Sequence, residues 1–408
     1  MFKKIQAVPI GQLIFSLVVL FALVTCEESG TVGAGFVNES GIVIETILID
    51  ELPVSSTDPF TGKLTYSPIG SFNDPLFGNI EAFGLFKPSI IKANIGDLPT
   101  DSEAILRLNF DIDNVYGNRS VNGTFKVFRV GDLWRGSAIK MSDEIEVLDA
   151  SGGPIQNVVG QFSYADIDTT GFVEFNLEGN WKSDFIEFYN NDDLNRDSLY
   201  RFEDYGLAIV PENDVDKVIY TRFSTSRLLL INNTTADTTS NIMLDWAYDI
   251  DVTGGEVPDG NITLSNTFNP FLTINFTPIA DQLTNNNFVR AELVLSPDST
   301  TLESSLTGTQ SRTENPPFRV QLGPSDDIAY DLGFNATNLR GVIEEGLYKF
   351  DITGLFNAYL FGESDISEIY LYAGQNQGYI GFNTFLGFNA DLNGVPKVLI
   401  YNLEESKE

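Results

Sequence analysis

AILRLNF at 104–110 and VRAELVL at 289–295 decide how this chain of 408 residues is read. In the first, Ala104, Leu106, Leu108 and Phe110 alternate with Arg107, Asn109 and Asp111, the period of two that puts one face of a strand in a core and the other in water. The same kind of strand returns in the second stretch, and the later strands come in the same order after both. A Phe/Val strand at 124–130 matches one at 317–322. A strand at 171–177, with a short helical segment around Trp181 after it, matches 348–353 with Leu355 to Leu360 after it. The strand at 206–210 matches 368–373, and aliphatic strands at 227–231 and 397–401 close the two series. An internal duplication is expected from this order.

Short β-type runs bounded by Gly, Asn, Asp and Pro fill the rest, including 42–49, 66–71 and 80–86, and long helical periodicity is absent. The expected fold class is therefore all-β: two β-sandwich or jelly-roll modules, each of ordinary domain size. The expected division is a first module with its N-terminal strands at 42–231, connecting strands at 232–287 and a second module at 288–408.

The N-terminus reads as an export signal. Lys3 and Lys4 precede the apolar run LIFSLVVLFALVTC at 13–26, too short for a good transmembrane helix and ending on the only cysteine. Leu23, Val24 and Thr25 before Cys26 resemble the bacterial lipobox. A cleaved signal peptide at 1–25 is expected, with Cys26 acylated and 26–41 as a Gly/Ser-rich tether. Glu27 and Glu28 after the cysteine are similar to the surface-export signal of Bacteroidota lipoproteins, which implies the outer membrane, lipid-anchored and facing the exterior.

Composition removes whole classes of chemistry. The chain has 24 Lys and Arg against 57 Asp and Glu, a net charge of −33, which argues against nucleic acid and anionic headgroups as partners. It has no histidine, and one cysteine assigned to the anchor. Ser-His-Asp and Cys-His catalysis, zinc sites built on His or Cys, and disulfides are excluded.

GSFNDPLFG at 70–78, AILRLNFDIDNVYGN at 104–118, GLAIVPEND at 206–214, RAELVL at 290–295 and VLIYNL at 398–403 resemble a Bacteroidota lipoprotein family defined only by a domain of unknown function. That resemblance covers nearly all of the chain after the signal and implies location and fold rather than activity. FDITGLF at 350–356, Gly362, the strand at 368–373 and VPKVLIYNL resemble the closing half of carbohydrate-associated jelly-roll modules, without their usual tryptophans.

Side-chain chemistry supplies the candidate residues. Asn73, Asp74, Pro75, Phe77 and Gly78 form the most specific loop of the resemblance, and a turn entering the next strand explains them as well as a functional loop does. Acidic groups at Asp111, Asp113 and Asn114, at Asp192, Asp193 and Asp197, at Asp249 and Asp251, and at Asp326 and Asp327 offer oxygen ligands to calcium, the one cofactor considered, although none has an established calcium-loop spacing. Trp134, Trp181 and Trp246 would stack sugars only if exposed. Thr169, Ser198, Thr238 and Ser299 sit in short acidic-hydroxyl motifs that match Bacteroidota O-glycosylation sites. No residue is nominated as catalytic. The function expected is a non-enzymatic surface lipoprotein that binds a glycan or a partner protein. The alternatives are a carboxylate-based polysaccharide hydrolase or lyase, which needs converging carboxylates in a cleft, and a purely structural surface component.

Overall fold

The alternation that opens the sequence builds the strand it predicts: β5 (Glu103–Asn118) buries Ala104, Leu106, Leu108 and Phe110 and turns Arg107 outward. The computed structural model describes residues 42–403 apart from 57, 92–95, 149–157, 194, 256–259, 267–269, 285–287, 299, 301–304, 313–319, 324–338, 374–376 and 391–393. The signal, Cys26, Glu27, Glu28, the tether, Ser299, Asp326 and Asp327 lie outside the described residues. Strands take 47% of the chain and helices 12%, and the sheets are antiparallel, so the protein is an all-β sandwich.

One body contains β3 (Ser67–Asp74), β4 (Gly78–Pro88), β5, β6 (Thr124–Arg129), β7 (Gly160–Ser163), β8 (Phe172–Leu177), β9 (Leu207–Pro211), β10 (Lys217–Thr221), β11 (Arg227–Ile231) and β12 (Thr238–Thr253). Their inward residues close one core with helix α1 (Gly179–Asn190). Trp181, Phe185 and Tyr189 recur every four residues along α1, which places all three on its buried face. Tyr200 of α2 (Arg196–Glu203) packs edge-on against Phe185, ring centroids 5.6 Å apart. Lys87, at the end of β4, is buried among these groups. Its ammonium donates to the carbonyls of Tyr200 and Arg201 and also to that of Asp204, so it caps the negative end of α2, and burial lowers it to about 8.

The other body contains β1 (Ile42–Leu48), β2 (Val54–Ser56), β13 (Ile262–Ser265), β14 (Pro270–Asn275), β15 (Phe288–Leu295), β17 (Val320–Gly323), β18 (Leu339–Arg340), β19 (Val342–Glu344), β20 (Leu347–Asp351), β21 (Glu368–Ala373), β22 (Phe382–Phe385) and β23 (Lys397–Leu403). A second core runs through it, capped by α3 (Phe276–Ala280) and α4 (Thr353–Leu360) with Phe276 against Phe356. A two-residue strand, β16 (Gln310–Ser311), leaves this half of the sequence to pair with the end of β5.

The strand pairings of the two bodies repeat. β5 lies between β11 and β8, as β15 lies between β23 and β20. The run β4, β9, β6, β7 is matched by β14, β21, β17, β18. β3 pairs β10, as β13 pairs β22. β12 first pairs β11 and then, past a bulge between Met243 and Asp245, pairs β4. In the second body that single strand is replaced by two pieces from the other end of the sequence: β1 pairs β23 and β2 pairs β14.

Sequence order therefore misassigns three segments. Residues 42–56, grouped with the first module, bury Ile47, Ile49 and Leu52 in the second core. The stretch 232–287 is not a separate connection: β12 completes the first body, while β13 and β14 belong to the second. The physical reason is edge pairing, because β11 and β23 each present an unpaired edge that needs a neighbour, and alternation within 42–48 or 238–253 does not say which edge it will take.

Trp181 is 1% exposed. Trp181→Ala is expected to lower the unfolding free energy by about 3–5 kcal/mol, read as a shift in the urea midpoint of the protein with its slope unchanged.

Candidate binding site

The loop at 73–78 forms a buried polar cluster. Pro75 starts a turn after β3, and Asp74 closes it by accepting from the amides of Leu76 and Phe77 at 2.8 and 3.0 Å. Arg312 grips the same carboxylate with two nitrogens, at 2.9 and 2.7 Å, and Tyr116 donates its hydroxyl at 2.7 Å. Burial by itself would raise the Asp74 carboxyl, but Arg312, Tyr116 and the Leu76 amide outweigh it and hold the group below the usual carboxylate range. Phe77 stacks on Phe382 of the second body with centroids 3.8 Å apart. Gly78 has φ +87°, and a Cβ there would collide with the Thr253 carbonyl. Asn73 pairs with Asn79 in the β3–β4 hairpin. Asp74 and Phe77 thus serve a clasp between the two bodies, while Asn73, Pro75 and Gly78 shape the turn that presents them.

Behind the clasp lies a third core. Phe72, Ile80, Tyr116, Tyr220 and Ile250 from the first body meet Tyr379 and Ile380 from the second. Tyr379 donates its hydroxyl to Asp111, which also accepts from Asn114 at 3.0 Å and from the Asp113 amide at 3.1 Å. The acidic group at 111–114 is therefore committed to this junction. Asp193 accepts from the amide of Asn195, and Asp197 pairs with Arg196 at 2.9 Å, so that group shapes the turn before α2 and pairs with its first residue. Among the described residues no group of three or more carboxylates could hold a metal ion. Asp249 differs from the others: burial, with Asp251, Asp143 and Glu144 adding repulsion, raises it to about 6.

The tryptophans are packed. Trp181 is in the core, and Trp246 donates to the Leu64 carbonyl at 2.8 Å under the Lys63 ammonium. Trp134 donates to the Tyr205 carbonyl at 2.7 Å and is buried in one cluster with Leu85, Ala208 and Ala247. It sits in the excursion between β6 and β7, which folds over the outer face of β4 and β9. Beside it opens a groove of about 580 Å³, lined by Leu133, Trp134, Arg135, Asp143, Glu144 and Ile145. Leu133 is 51% exposed and Phe202, over which Arg135 lies at 5.9 Å, is 53% exposed. Asp143 and Asp132 hold the excursion in shape, accepting from the amides of Lys140 and Glu146 at 2.8 and 2.7 Å. This groove gathers exposed apolar, aromatic and cationic side chains, the composition of a recognition surface.

Of the candidate glycosylation residues, Thr169 is exposed in a turn closed by Asp168, Ser198 is exposed on α2, and Thr238 is exposed where β12 begins. Sequence reasoning singled out neither Arg312, Tyr379 and Phe382 at the clasp nor Leu133, Arg135 and Phe202 at the groove. Scarcity was the available signal for Arg312, because a chain with 24 basic residues has few partners for a buried carboxylate.

Neither a family model nor a curated protein matches this sequence. Among solved structures, the chain aligns with that of the Macrobrachium rosenbergii nodavirus at 8% identity, over 98% of this chain and 95% of that one. The TM-score of 0.14 carries no argument.

Arg312→Ala is expected to destabilise the protein by about 3–5 kcal/mol at pH 7, because it strands a buried carboxylate. The depressed Asp74 contributes stability above the unfolded carboxylate value, and that contribution is lost as pH falls through its folded value. The deficit of the variant should accordingly shrink toward pH 3, checked by urea titrations across pH. Asp249 runs the other way: its raised value penalises the folded protein when ionised. Asp249→Asn should stabilise by on the order of 1 kcal/mol at pH 8, after discounting for partial exposure, and the gain should vanish below about pH 4.

Proposed function

We propose that the protein is a non-enzymatic lipoprotein of the outer membrane, acylated at Cys26, facing the exterior, that holds a partner protein through the groove beside Trp134. The observation that carries the binding part is the groove beside Trp134, where exposed Leu133 shares the lining with Arg135 and the Arg135 guanidinium lies over exposed Phe202. Large exposed apolar groups next to an arginine are what the centres of protein interfaces use, where burying each apolar side chain gives roughly 1.5–3 kcal/mol. The groove is shaped by a long excursion on one body and so stands clear of the clasp. The partner-protein reading is preferred to a glycan because Trp134 is buried in a cluster with Leu85, Ala208 and Ala247, which leaves little of its ring to stack on a sugar.

The surface address rests on the sequence: the apolar run, Cys26 and the Glu27–Glu28 pair. It ties the groove to material outside the cell.

Affinity capture from intact cells, paired with a glycan array, tests the reading. Wild-type protein should enrich a defined partner, and Leu133→Asp with Phe202→Asp should lose it by tenfold or more while melting as the wild type does. Array binding that survives both substitutions would replace a protein partner with a sugar. Radiolabelled palmitate should enter the wild-type chain and not Cys26→Ala. A labelled Cys26→Ala chain would overturn the anchor.

A further inference from the structure

The repeated pairing order leaves one position of the second body filled from the wrong end of the chain. In the first body β11 turns through 232–237 into β12, and the hairpin opens with Ile231 opposite Thr238. In the second body β23 ends at Leu403, and the residue opposite Leu403 is Ile42, the first residue of β1. The hairpin of the first body has thus been cut in the second, and its outer strand enters from the N-terminus.

We propose that residues 42–56 are a separable donor strand and that the second body is its acceptor. The acceptor slot has two parts, the edge of β23 in one sheet and the edge of β14 in the other, and 42–56 bridges them as β12 bridges β11 and β4. Main-chain hydrogen bonds hold the donor along seven paired residues from Ile42–Leu403 to Leu48–Lys397. Ile47, Ile49 and Leu52 enter the core and set the register, since a slip by one residue would turn Ile47 out to solvent. No disulfide ties the donor down, as the chain has one cysteine.

Synthesis makes the donor first and its acceptor edge last, so the second body stays open until residue 403 is available. The first body contains both β11 and β12 within one hairpin and needs no such wait. The segment that closes the second body is also the one from which the chain leads back to residue 41, so any pull from the N-terminal side is borne by the β1–β23 ladder.

A protease site placed between Ser56 and Asp58 of the full chain tests this. After cleavage of the folded protein, the N-terminal fragment should stay with the rest on gel filtration and leave only in denaturant. On refolding, a labelled synthetic peptide of 42–56 should take its place, and the same peptide with Ile47→Asp should do so at least tenfold less. Loss of the fragment at cleavage with the melting of the second body unchanged would overturn the proposal, as would equal uptake of the two peptides. A circular permutant gives an independent measurement: Leu403 joined to Ile42 through a copy of residues 232–237, with the new N-terminus at Asp58. It should melt as the parent does. A permutant in which the second body fails to fold would overturn the proposal.

Discussion

The antiparallel ladder between β1 and β23 is the constraint on which the second half of the molecule depends. It brings the first and last described residues opposite each other, and it covers an edge that would otherwise present a row of unpaired amides and carbonyls. Ile47 and Ile400 face the same core from adjoining strands, so the ladder and the burial reinforce each other. The first body meets the same requirement locally, through a six-residue loop.

Between the two bodies the chain uses a different kind of bond. The clasp at 73–78 is polar at its centre and aromatic at its rim. Asp74 is the pivot, because its two oxygens are shared among two amides of its own turn, a tyrosine of the first body and Arg312 on the segment that follows β15. A buried carboxylate costs heavily unless every lone pair is used, and here the guanidinium fork meets that demand with directional bonds. Phe77 stacks on Phe382 beside it, and Tyr66 and Tyr220 pack on Tyr379, which bonds Asp111 nearby.

The groove beside Trp134 stands apart from both devices. Its excursion belongs to the first body's β6–β7 connection, and its walls are held by carboxylate-to-amide bonds within the excursion and by bonds from Ser142 and Met141 to Asp58 and Pro59. Surfaces of this kind vary without disturbing the sandwich beneath, which is why recognition is so often placed on loops over a rigid sheet. Leu133 and Phe202 are free of packing duties, whereas the three tryptophans are not.

The strands, their order and the duplication were legible in the residues alone, because period-two alternation in β5 and β15 is a local property of the side chains. The turn at 73–78 was legible too, since Asp-Pro and Gly act on their own backbone. The partner of each strand was settled only in three dimensions. Residues 42–48 are rich in β-branched side chains and 238–242 are mostly polar, and nothing in either says that one will pair with the last described strand and the other with its immediate predecessor. Arg312 was out of reach for the same reason: its meaning comes from Asp74, 238 residues away in sequence and 2.7 Å away in space.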